Sequence, residues 1–279
     1  MNRQVLWIWL RRALEGNSKI MYALYKVVGD IETIYNASSE TYEAWGVPQR
    51  YRHALADKDT GRAYNIWGMC QKFGFSVVTI EEDAFPTMLR QISLPPCILF
   101  YEGNLAEMLK RPLLTMIGTR HATVSGLASA QEMACGLAGS GFGLVMGVAE
   151  GIEDTIQKAV LDVGGHAMLI LPCGLQRVNR RVAGLIRNVV NNGVVLSELL
   201  PNETVGFGTY QLRNRLLAGI SHGTFVVQAP KKSGAVMTAG FAAAEGRDVF
   251  VLPGNVRDPS FAGNNELLRD GAIPVIEYT

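Results

Sequence analysis

The chain reads as an α/β protein whose mainly parallel sheet carries helices on both faces, preceded by a small bundle of helices. Two observations carry that reading. From Phe75 onward, short apolar runs alternate with stretches of ten or more residues of helical periodicity, and such βαβ units close right-handed into a covered parallel sheet. Up to about residue 73 the apolar spacing is helical instead. The expected boundaries are a helical unit over 1–73 and an α/β unit over 74–279, packed closely because no flexible linker separates them.

In the first unit Trp7, Leu10 and Leu14, then Met21, Leu24, Val27 and Val28, then Gln49 through Ala56 and Ala63 through Phe73 mark four or five short helices. They are broken at Glu15-Gly16-Asn17-Ser18, Gly29-Asp30, Asn36-Ala37-Ser38-Ser39 and Gly46-Val47-Pro48. MNRQVLWIWLRRALEG reads as an amphipathic helix, since Arg11 and Arg12 interrupt its apolar stretch and it has no small-residue cleavage pattern. A cytoplasmic protein is expected, without a membrane span. Small bundles often meet nucleic acid through a glycine-rich hairpin turn; LEGNSK holds a single glycine, so a structural or partner-binding role stands at least level.

In the second unit the runs at Ser76–Ile80, Ile98–Tyr101, Leu113–Ile117, Gly143–Met146, Ala167–Leu171, Val194–Leu196, Thr224–Val227 and Val249–Leu252 read as buried strands. Ser125–Gly139, Gly151–Val163 and Ser233–Ala244 read as helices between them. With 279 residues, 48% of them hydrophobic, and a formal charge of +1, the chain has ample core and no global basic signature. Any nucleic-acid surface must come from local clustering. Cys70, Cys97, Cys135 and Cys173 are far apart, without a CxxC pair or a nearby histidine, which argues for reduced thiols rather than a metal or disulfide framework.

The informative residues follow the strands, where open α/β sheets bind ligands. After LLTMI comes Gly118-Thr119-Arg120 at the start of a helix, whose unpaired N–H groups and dipole favour an anion. Arg120 adds a planar cation that fits phosphate; equally, it could pin the turn by pairing with a carboxylate. Gly147 and Gly151 bracket the turn GVAEGIE, allowing either close phosphate approach or simply tight packing. The nicotinamide fingerprint GxGxxG is not met. Arg177, Arg180 and Arg181 follow the next strand as a solvated basic cluster or an anion site.

Arg213 and Arg215 lie two apart on a helix and diverge by about 200°, so one should pair with a carboxylate such as Glu198 while the other reaches the cleft. Lys231, Lys232, Ser233 and Gly234 make a second anion-favouring helix start, or an ordinary cap with two solvated lysines. His121, His166 and His222 look isolated. The loops hold no Ser-His-Asp order, no hydrolytic carboxylate pair and no metal-ligand cluster, so neither catalytic residues nor a cofactor are expected.

Taken in order, MIGTR, GVAEGIE, PCGL, LSE, RNRLLAG, KSGAVMTA, GRDVFVLPG and GNNELLRDGA resemble the DNA-processing protein A family (DprA, also called Smf). Its motifs run VGSR, SGLAxGID, GxGL, SE, FPxRNRIIAGL, SGSLITA, GRxVFAxPG and GxxxLIxxGA. The likeness runs from about Phe85 to the end, and the amino-terminal bundle, of SAM or helix-hairpin-helix type, matches a common family layout. The resemblance implies an extended Rossmann-like domain that binds single-stranded DNA and loads the RecA recombinase on it in natural transformation, commonly as a dimer. It puts Arg120 in the phosphate-contacting turn, Ser233-Gly234 at an anion-binding helix start, and Arg177–Arg181 near the basic surface.

Departures stand at Glu150, beside the implied phosphate path; at Glu153, where Asp is usual; at Ile156-Gln157 for Ala-His; at Gln176-Arg177 for Tyr-Pro; and at Tyr210-Gln211 for Phe-Pro. Phe207, Tyr210 and Phe261 are the aromatic candidates for base stacking. The alternative is a nucleotide-binding or nucleotide-cleaving Rossmann-like protein with Glu245 as its acid.

Overall fold

The computed structural model describes residues 1–278. Its amino-terminal helices are α1 (Arg3–Ala13), α2 (Ser18–Val28), α3 (Ile31–Asn36), α4 (Ser39–Ala44), α5 (Gln49–Asp57) and α6 (Gly61–Phe73). The helices beyond the expected four or five are α3 and α4, six residues each and too short to show an apolar stripe. Each is nonetheless started by a side-chain cap, Asp30 accepting from Thr33 N and Ser38 from Thr41 N.

Helix α1 departs from the expected amphipathic form: from Val5 through Arg11 every residue is buried. It packs against α2, α3, α5 and α6 and also meets the first strand, so it is covered on every side and has no use for a polar face. Trp7 and Trp9 set their rings edge-on to Tyr25 and Tyr35.

The remaining elements are β1 (Ser76–Thr79), α7 (Thr87–Arg90), β2 (Ile98–Gly103), α8 (Leu105–Leu109), β3 (Leu113–Ile117), α9 (Val124–Gly139), β4 (Gly143–Met146), α10 (Ile152–Asp162), β5 (His166–Ile170), α11 (Arg180–Val189), β6 (Val194–Ser197), α12 (Thr209–Ile220), β7 (Gly223–Val226), α13 (Gly234–Ala244), β8 (Asp248–Val251), a 3-10 turn at Pro259–Phe261, α14 (Ala262–Arg269) and β9 (Ile273–Pro274). They form an extended Rossmann-like layer. Its nine-stranded sheet has the order β1-β2-β6-β5-β4-β3-β7-β8-β9. The strands from β6 to β9 are parallel, while β2 runs against both β1 and β6. The edge strand β9 has two residues, one of them Pro274, and so carries no apolar run to read.

Strand β3 sits where the order reverses, with β4 to β6 on one side and β7 to β9 on the other. The loops after β3 and β7 therefore face each other across the crevice where such sheets bind ligands. Thr115, fully buried on β3, hydrogen-bonds Leu217 O at 2.6 Å and Ser221 Oγ at 2.8 Å, fastening α12 over that strand. Because α12 is the crossover into β7, its first turn stands at the same carboxyl edge.

Candidate nucleic-acid interface

Two buried amides hold the crevice open. Gln228, just past β7, accepts from Thr123 N at 2.9 Å and donates to Thr123 Oγ1 at 3.0 Å and Ser260 Oγ at 2.7 Å. Its backbone carbonyl takes Thr119 N at 2.7 Å. Asn264 of α14 accepts from Ala229 N at 2.7 Å and donates to the carbonyls of Val227 and Leu252, each at 2.9 Å. Sequence reasoning passed over both, although a polar residue directly after TFVV and an amide in GNN are the signals that mark them.

Between these loops lies a cleft of about 370 Å³ lined by Gly118, Arg120, Tyr210, Arg213, Ser233 and Gly234, among others. It continues into a second hollow edged by Glu150, Pro172 and Arg181. Arg120 is exposed, with its guanidinium over the Tyr210 ring at 5.6 Å from the centroid, and Arg213 lies over the same ring at 5.8 Å.

Arg213 is 7% exposed. Its Nη1 lies 4.0 Å from Glu153 Oε2, and neither that nitrogen nor Nε has a hydrogen-bond partner among the described residues. Burial pushes its pKa below the usual arginine value, and the Glu153 carboxylate opposes that shift. Glu153 also accepts from Ala149 N at 3.0 Å. The turn before α10 has no room for a side chain at either glycine: a Cβ at Gly147 would lie 1.8 Å from Arg213 Nη1, and Gly151, at φ 79°, would bring one within 2.5 Å of Thr119 O.

Two helix starts converge here with opposite electrostatics. Helix α10 carries Glu153 and Asp154 in its first turn, which answer its own dipole. Helix α13 has no acid there, and Ser233 caps only Val236 N, so Gly234 and Ala235 line the cleft with amides outside the helical ladder.

Of the remaining predicted cations, Arg181 edges the second hollow and the others lie outside both. Arg181 is bound by Glu150 and, at 3.2 Å, by Asp154. Arg177 donates from Nε to Asn202 O at 2.9 Å, and Arg180 is exposed at the start of α11. Lys231 pairs with Glu266 at 3.3 Å, while Lys232, at φ 55°, is exposed. Of the arginine cluster of the sequence, Arg181 alone is held by acids among the described residues. Arg215 pairs with buried Glu198 at 2.5 Å.

Phe261 is buried against Gly254 and offers no ring to a base, whereas Phe207 is fully exposed. His121, read as isolated, lines the cleft. Glu245 stands at the carboxyl end of α13, away from the cleft, where its two oxygens accept from Ser93 N at 2.8 Å and Ser93 Oγ at 2.5 Å. That position removes it as the acid of a nucleotide-cleaving site.

Residues 76–279 match the family described as DNA recombination-mediator protein A. The chain belongs to that family. DprA of Streptococcus pneumoniae is 34% identical over 202 residues, 71% of this chain and 70% of that protein. DprA of Bacillus subtilis is 30% identical over 200 residues, covering 71% and 67%. The X-ray structure of the pneumococcal DprA superposes with a TM-score of 0.84 at 28% identity, covering 100% of this chain, bundle included, and 95% of that one. DprA from Helicobacter pylori, whose structure is described for its single-stranded DNA binding mode, gives a TM-score of 0.66 at 28% identity over 73% of this chain and 92% of that one.

Proposed function

We infer that this DprA-family protein binds single-stranded DNA along the carboxyl edge of its sheet and acts as a recombination mediator that delivers the strand to a RecA-type recombinase. One observation carries the reading: exposed Arg120 and nearly buried Arg213 line one cleft with the unneutralised start of α13. A phosphate oxygen is the acceptor that suits guanidinium groups and helix-start amides converging on one cleft. Exposed Phe207, three residues before Tyr210, supplies a stacking surface that any base can use.

The mode is backbone-dominated and indifferent to sequence. The role is that of a binding protein without a chemical step, working as a homodimer in the reducing cytoplasm, where four unpaired thiols are at home. The H. pylori relative supports the ligand.

Titration of single-stranded and duplex oligonucleotides at several salt concentrations tests this. Expected is a single-strand preference, with log K falling by about 0.7 per phosphate contact per log unit of salt. Arg120→Glu abolishes binding and leaves the fold intact; unchanged affinity in that variant refutes the assignment.

A further inference from the structure

The segment between β6 and α12, residues 198–208, carries Phe207 and leads into Tyr210 and Arg213. It is held from outside the α/β layer. Arg11 on α1, 3% exposed, donates from Nη2 to Glu203 Oε2 at 2.6 Å. The same carboxylate oxygen accepts Leu200 N at 2.8 Å, so one atom closes both the ion pair and the turn. Ser18, first residue of α2, donates to Glu198 Oε1 at 2.7 Å, and the other oxygen of Glu198 takes Arg215 of α12. The turn passes the constraint on: Gly174 N donates to Glu203 O at 2.8 Å, Gln176 N to Pro201 O at 3.0 Å and Arg177 Nε to Asn202 O at 2.9 Å. Two loops at the cleft's edge are thereby joined, and the bundle anchors them.

Energetics explain why this is a positioning contact. Burying an arginine within an apolar bundle costs more than burying a methionine there, because the guanidinium must shed its water. Its Nε finds no partner among the described residues, so the side chain is not kept for a satisfied network of its own. Room is made for it at Gly16, in the left-handed region at φ 72°, where a Cβ would stand 3.3 Å from two of its nitrogens. What the pair specifies is where the β6–α12 segment lies.

We propose that Arg11 is a positioning residue for the DNA cleft: through Glu203 the amino-terminal bundle fixes the segment that carries Phe207 and leads into Tyr210, so helices outside the α/β layer set single-strand affinity. The proposal rests on the DNA-binding reading above and extends it to the bundle.

The test uses the full chain with Arg11→Met, and with Arg11→Met joined to Glu203→Gln so that no carboxylate is stranded. Binding of a labelled oligo-dT is measured by anisotropy, in the wild-type and Phe207→Ala backgrounds, alongside melting temperature and amide exchange of residues 199–208. Expected is a loss of about five- to twentyfold in affinity, the size of one lost stacking contact, with an unchanged salt slope because Arg120 and Arg213 are untouched. That loss vanishes in the Phe207→Ala background, and exchange over 199–208 rises. A lower melting temperature with unchanged affinity and unchanged exchange overturns the proposal, as does an equal loss when Phe207 is absent. Wild-type protein that ignores oligo-dT overturns the DNA reading together with Arg11's part in it; exchange over 199–208 then decides whether the clamp itself exists.

Discussion

Replacing Glu150 by glutamine should tighten single-stranded DNA binding. The charged side chains lining the two connected hollows are Arg120, Arg181 and Arg213 against Glu150 and Glu153, a surplus of one positive charge, which the substitution doubles. Glu150 is 76% exposed and Arg181 40%, so the pair sits in nearly full solvent screening. A carboxylate about 7 Å from a phosphate, at an effective dielectric of about 40–80, repels it by about 0.6–1.2 kcal/mol. Removing it corresponds to about three- to eightfold higher affinity at low salt.

The gain shrinks as salt rises, because exposed charges are screened within about 10 Å. Arg181 keeps Asp154 at 3.2 Å, so it is loosened rather than freed, and the salt slope steepens by about 0.7 at most. Anisotropy titration of Glu150→Gln against oligo-dT at several salt concentrations reads both quantities. Unchanged or weaker binding by a folded variant would mean that the strand does not pass this wall, and the path argued from Arg120 and Arg213 would fall.

Other substitutions probe separate links. Gly147→Ala drives a methyl into Arg213 and displaces the guanidinium, so single-strand affinity should fall at least tenfold, about 1.4 kcal/mol, with circular dichroism unchanged. Gln228→Leu strips three side-chain hydrogen bonds from the loops flanking the cleft and should destabilise the fold by about 1–3 kcal/mol in urea denaturation. Lys58, with Nζ at 2.8 Å from Ala37 O and 2.6 Å from Tyr42 Oη, has its pKa pushed down from 10.5 to about 8 by burial. Between those values the unfolded chain binds more protons than the folded one, so this group adds stability as pH rises. Cys70, pushed up from 9.0 to about 11 by burial, works in the opposite sense at the upper end, so the Lys58 contribution is read as the wild-type minus Lys58→Met difference, which should grow from pH 8 to 10.

The sheet was legible because its strands are buried on both faces, and continuous apolar runs bounded by glycine are hard to mistake. What escaped was set by tertiary cover. Helix α1 has two basic residues near its end and so scans as amphipathic, yet Arg11 is buried because Glu203, far along the chain, supplies the counter-charge. Helices α3 and α4 are too short for periodicity and show only as their caps. Strand β9 exists because β8 offers it an edge, not because Ile273-Pro274 favours extension.

The candidate site divides along the same line. Strand ends and helix starts are local, so Gly118, Arg120, Ser233 and Gly234 could be placed on one cleft from sequence alone. Which cations remain free is a question of pairing across the fold, and proximity in sequence answers it poorly. Arg177, Arg180 and Arg181 stand together in the chain, yet Glu150 and Asp154 on the neighbouring unit bind Arg181, and the carbonyl of Asn202 holds Arg177. Arg213 and Arg215 are the reverse case: two apart on α12, they diverge as their spacing requires, so Arg215 takes Glu198 while Arg213 lines the cleft with Glu153 4.0 Å away and bonded to Ala149 N. The divergence follows from helix spacing and is legible in the chain, whereas the distance at which Glu153 stands from Arg213 is a property of the turn between β4 and α10 that only the folded chain displays.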